Sequence, residues 1–155
     1  MELRRYVGRV LPPVLFVLLL PIALAGPTVM NRDRADNSLA FTYDADSAQI
    51  TKAVSTKPPI TKGDRVDFLT VVDESSPPGR VVGRITLRLI GKRPVTYNGT
   101  FTYTVKDASG NVAFKATRDR RFTLRPKAGR RFASLRFTFD LPSGDYAVAA
   151  RFVAN

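Results

Sequence analysis

The sequence predicts an all-β protein built as an antiparallel β-sandwich, and three observations carry that prediction. Apolar and polar residues alternate with a period of two. This is clearest where Ile85, Leu87 and Leu89 interleave with Arg84, Thr86 and Arg88, and where Leu135, Phe137 and Phe139 interleave with Ser134, Arg136 and Thr138. Runs of turn-forming residues, such as Asp107-Ala108-Ser109-Gly110-Asn111, separate these stretches. After the first 25 residues no apolar stripe at helical spacing occurs. A chain of 155 residues then suggests one domain with a real core, of seven to nine strands, preceded by an N-terminal signal helix.

Taken in order, Met1 to Ala25 reads as a secretory signal peptide. Arg4, Arg5 and Arg9 supply a positive start, Val10 to Ala25 is an unbroken apolar or proline run, and Ala23-Leu24-Ala25 supplies the small residues of a cleavage site, Ala23 and Ala25. The rival is an uncleaved membrane anchor, since residues to Met30 could extend the run towards the roughly 20 that a span needs. Residues 26–37 are polar and aperiodic and read as a linker, which leaves 38–155 for the sandwich.

Leu39, Phe41 and Tyr43 start the strands, Asp44-Ala45-Asp46-Ser47 turns, and Gln49 to Val54 follows as a weaker strand. Val66 to Val72 is β-rich and apolar on both faces. Residues 73–80, with Pro77-Pro78-Gly79, form the most loop-like segment. Val81 to Ile90 is a clean strand, and 91–98 reads as a connection. Asn98-Gly99 reads as a turn, although Asn98-Gly99-Thr100 also spells a glycosylation sequon. Further strands run from Phe101, from Val112, through Leu135 to Phe139, and through Val148 to Phe152, with breaks expected at 107–111, 118–120, 126–131 and 140–144.

The hairpin from Thr102 to Ala113 resembles the central hairpin of bacterial immunoglobulin-like and fibronectin-III-like modules. The run Leu141-Pro142-Ser143-Gly144-Asp145-Tyr146 resembles their tyrosine corner. The same pair of features is similar to the bacterial proteinase-inhibitor sandwich of the BsuPI type. The resemblance implies Gly144 and Tyr146 as a structural corner, with the Tyr hydroxyl bonding back along the chain. It covers residues 100–153 and transfers no functional residue, because fold does not fix function.

Composition excludes several chemistries. The chain has no Cys and no His, so it has no disulfide, no thiol nucleophile, no imidazole base and no imidazole metal ligand. No catalytic residue, metal ligand or cofactor site is expected. Asp44 and Asp46 with Ser47 form part of a calcium-loop pattern, but its glycine and distal glutamate are missing, so they read as a turn. An exported domain without cysteine has a bacterial style.

The formal charge is +12. Residues 78–155 carry sixteen basic and four acidic side chains, whereas 26–77 are net acidic. Alternation of loops between the two ends of a sandwich, counted from Val81, gathers Lys92, Arg93, Arg118, Arg120 and Arg121 at one end as an anion-binding group. Lys127, Arg130 and Arg131 fall at the other. Export and the lack of base-stacking aromatics in these loops argue against nucleic acid. Outside a bacterium the polyanions that suit such a patch are anionic envelope polymers or lipid headgroups; the expected partner is an anionic cell-envelope polymer or an envelope protein, with the membrane touched only through an uncleaved N-terminal segment. An inhibitor of proteases acting through the 73–80 loop is the alternative.

Overall fold

The computed structural model describes residues 22–24, 28–30, 33–56, 66–74 and 80–155. These residues form ten strands and no helix: β1 (Ile22–Leu24), β2 (Thr28–Val29), β3 (Arg34–Asp44), β4 (Gln49–Thr56), β5 (Val66–Glu74), β6 (Val81–Leu89), β7 (Val95–Asp107), β8 (Val112–Leu124), β9 (Phe132–Phe139) and β10 (Gly144–Ala154). The count exceeds the expected seven to nine because the short β1 and β2, which carry no legible alternation, both pair with β5.

All pairings are antiparallel and make two sheets. One has the order β1-β5-β6-β9, with β2 also on β5, and the other has the order β4-β3-β10-β7-β8. Their inner faces share a single core, in which Phe68, Ile85, Leu87 and Phe137 of the first sheet meet Leu39, Phe101, Tyr103 and Phe152 of the second. Each fully buried side chain of that size contributes about 1.5–3 kcal/mol.

Tyr103 spans the two layers. Its ring stacks on Phe137 at a centroid distance of 5.0 Å. Its hydroxyl donates to the Val71 carbonyl at 3.2 Å, from β7 of one sheet to β5 of the other. Room for the ring comes from Gly83, where a Cβ would stand 2.4 Å from the ring carbon bearing the hydroxyl. Burial, reinforced by the Asp73 charge, holds the Tyr103 phenol well above its ordinary range.

Several expectations are corrected. Residues 118–120 are not a loop, because β8 runs unbroken from Val112 to Leu124 in register with β7. Asn98 and Gly99 do not turn the chain. They lie within β7, and Gly99 faces inward where a Cβ would come within 2.7 Å of the Phe152 ring. This glycine serves close packing, not a reversal of direction. β3 begins at Arg34, inside the 26–37 segment read as a linker, because Ala35 and Asn37 face the interior and Asn37 Oδ1 accepts the Thr70 amide at 3.1 Å. Ala23, one of the two residues expected to mark a cleavage site, lies in β1 opposite Val72. Residues 1–21, Ala25 and the 75–79 part of the proline-rich loop lie outside the described residues.

At the corner before β10, Tyr146 Oη donates to the Pro142 carbonyl at 2.8 Å. Gly144 meets the Tyr146 ring only at ordinary contact distance, so its small size is not what shapes the corner.

Two measurements check the role of Tyr103. Gly83→Ala, read by chemical denaturation, should cost about 1–3 kcal/mol through overpacking, and Tyr103→Phe about 1 kcal/mol through the lost hydrogen bond. The raised phenol also predicts alkaline sensitivity. Above the ordinary tyrosine value of 10.0 the unfolded chain releases a proton that folded Tyr103 retains, so stability falls as pH rises through and beyond that point. Tyrosinate absorbance compared with Tyr103→Phe should show that Tyr103 ionises only on unfolding.

A candidate anion-binding end

Strand direction decides which loops are neighbours. β6 runs towards one end and β7 returns, β8 runs out and β9 returns. The 90–94 and 125–131 loops therefore share an end, and the 108–111 and 140–143 loops share the other. Both loops of the first end cross between the sheets, from β6 to β7 and from β8 to β9. Their bases are tied together. The Leu89 amide donates to the Arg131 carbonyl at 2.8 Å, Arg131 Nη1 donates to the Leu89 carbonyl at 3.4 Å, and Val95 pairs with Leu124.

The 125–131 loop is a built structure. The Lys127 amide donates to the Arg125 carbonyl at 2.7 Å, the Arg130 amide to the Lys127 carbonyl at 3.0 Å, and the Arg125 amide to the Arg130 carbonyl at 2.9 Å. Gly129 sits at φ +74°, the left-handed region that glycine occupies without a Cβ clash. Four cations, Arg125, Lys127, Arg130 and Arg131, thus project from a closed set of turns. Lys92 and Arg93 project from the neighbouring loop, both exposed. Among the described residues none of the six has an ion-pair partner.

The five residues named from sequence do not come together as expected. Lys92 and Arg93 stand at this end, but beside Lys127, Arg130 and Arg131, which the sequence placed opposite them. Arg118, Arg120 and Arg121 lie along β8, the edge strand of its sheet. Register puts Arg118 opposite Phe101 and Arg120 opposite Gly99, on the core-facing side, and Arg121 opposite Asn98, on the outer side. All three are exposed on this edge strand, and charge on such an edge disfavours pairing with another chain. They extend the positive surface along the edge and do not form a loop cluster.

This exposed stretch of the edge strand explains the misreading. Arg118-Asp119-Arg120-Arg121 interrupts the alternation, so the strand looks broken, and one false break reverses the end assigned to every later loop. Arg125 was missed outright. Only the continuous register of β7 with β8 reveals it.

The acids lie elsewhere. Asp44, Asp46, Asp107, Asp140 and Asp145 are at or beside the turns of the opposite end. Asp44 accepts from Ser47 Oγ at 2.7 Å and from the Asp46 amide at 3.0 Å, and these two bonds hold its carboxyl below the usual value. Asp107 caps its own hairpin by accepting the Ser109 and Asn111 amides, each at 2.9 Å. Asp140 pairs with Arg80 at 3.3 Å, and Asp145 accepts from Thr42 Oγ1 at 2.6 Å. On the outer face of the first sheet Asp67 pairs with Arg88, and Asp73 with Arg84. Asp33 is at the basic end, but next to β10 and β3, away from the β8 edge. Among the described residues no group of His, Cys, Asp or Glu could hold a metal ion.

No known family model, curated protein or solved structure matches this chain.

Gly129→Ala tests whether the loop geometry matters. A Cβ in the left-handed region should cost about 1 kcal/mol in thermal or chemical denaturation, whereas Ala128→Gly beside it should cost only a few tenths.

Proposed function

We propose that this protein is a non-catalytic binding module of the cell envelope that holds an anionic polymer through its basic end. The observation that carries the reading is the convergence of Lys92, Arg93, Arg125, Lys127, Arg130 and Arg131 on two adjoining loops, with no carboxylate partner for any of them among the described residues. A folded body with six uncompensated cations on one end repels itself and gains from an external anion. Arginine forks pair bidentately with phosphate or carboxylate, so a polymer that repeats either group suits the arrangement. The larger share of the described acids at the opposite end gives the molecule a charge polarity that orients an approaching polyanion.

The fold we assign is an immunoglobulin-like sandwich. Two facing antiparallel sheets, a tyrosine bonded back along the chain before the last strand, and sheet-crossing connections support it. The leader-like residues 1–25 and the lack of cysteine support export by a bacterium, which in turn makes nucleic acid an unsuitable polyanion. Cleavage after Ala25 would remove β1 and leave β2 on β5. Mass spectrometry of the exported chain should then find Gly26 as its first residue.

Binding to long-chain polyphosphate or to cell-wall preparations tests the reading. Raising salt from about 0.1 M to about 1 M shortens the screening length from roughly 10 Å to 3 Å and should weaken binding by at least an order of magnitude. Changing Arg125, Lys127, Arg130 and Arg131 together to Gln should lower affinity at least as much, while Arg118→Gln with Arg120→Gln should lower it less. Affinity indifferent to both salt and the fourfold change would remove the proposal.

A further inference from the structure

The basic end also carries exposed apolar side chains. Phe132 is 61% exposed and Ile90 46% exposed, two of four large hydrophobic residues that stand out in this way among the described residues. They are neighbours. Strand pairing sets Arg88 opposite Phe132, and the Leu89 amide is bonded to the Arg131 carbonyl. Ile90, two residues beyond Arg88, therefore comes diagonally beside Phe132 on the outer side of the first sheet. Single exposed apolar residues are common on protein surfaces and need no explanation. An aromatic and an aliphatic residue set together among Lys92, Arg93, Arg130 and Arg131 are a different matter, because a soluble polyanion gives them nothing to bury against.

We propose that the basic end docks on an anionic lipid bilayer, with Phe132 and Ile90 entering the interface while the surrounding cations contact headgroups. The inference rests on the anion-binding reading of this end and names the form in which the anions are presented. Charge complementarity selects the occupant. Lys and Arg near a surface each add attraction to anionic headgroups, and apolar side chains at the same level add burial that neutral water or a dissolved polymer cannot supply. The closed turns of the 125–131 loop hold the cations in place, so little ordering is needed on contact.

The chain contains no Trp, so a single introduced Trp reports one position and is blind to the N-terminal segment. Phe132→Trp in the full chain should show blue-shifted emission on phosphatidylglycerol vesicles, and quenching when the acyl chains carry bromine. On phosphatidylcholine vesicles it should show neither effect. Adding Lys127→Gln, Arg130→Gln and Arg131→Gln should reduce the partitioning at least roughly tenfold. Val112→Trp, at the opposite end and a site 56% exposed in the native chain, should not shift. Unshifted emission from Phe132→Trp, with polyphosphate still bound, overturns the bilayer and leaves the polymer reading intact. Binding of neither overturns both. An equal shift from Val112→Trp shows adsorption by another part of the molecule and overturns the assignment to this end.

Discussion

The structure depends on one side chain crossing from sheet to sheet. Tyr103 fills the space above Gly83, stacks on Phe137 and bonds its hydroxyl to the Val71 carbonyl. A tyrosine in a dry core has to find a partner for its hydroxyl, and here the only way to satisfy it is to hold β7 at a fixed height over β5. That hydrogen bond ties the two layers together across the core. Aromatic contacts on either side then follow it: Phe101 against Phe152 at 4.8 Å and Phe114 against Phe139 at 4.5 Å. The glycine beneath the ring is part of the same arrangement, since interiors are packed too closely to admit an extra carbon.

Fixing the layers also fixes their ends. Connections that cross between sheets must pass over the rim of the core, and here two of them pass over the same rim side by side. Among the described residues, most of the basic loop residues without an ion-pair partner lie on those two crossings. Acids are used instead as local fasteners, capping hairpins or pairing across strands on the opposite end and the outer face. Charge that is consumed locally does not act at a distance, whereas charge left unpaired does. This division of labour between acids and bases leaves one end of the molecule with an excess of positive charge.

Strand identity was legible in the sequence wherever both sides of a strand are defined, one against the core and one against water. Leu39, Phe41 and Tyr43, Ile85, Leu87 and Leu89, and Leu135, Phe137 and Phe139 all alternate because every inner position meets the opposite sheet. Legibility failed on the edge strand β8, where two positions on the inner register are exposed and carry Arg118 and Arg120. It failed again at Gly99, where a glycine that makes room for Phe152 looks the same in sequence as one that turns the chain. The short β1 and β2 are defined by backbone pairing with β5, which leaves no periodic trace.

The sequence by itself determined that the chain folds as antiparallel sheets, that it lacks the side chains for thiol and imidazole chemistry, and that its excess positive charge lies in its second half. Those properties are local or additive, so they can be read one residue at a time. Only the tertiary structure decided which cations meet, and it replaced the pairing of 91–99 with 118–120 by that of 90–94 with 125–131. The position of a loop depends on the parity of every strand before it, and a single strand kept whole by its partner's hydrogen bonds changes that parity for all that follows.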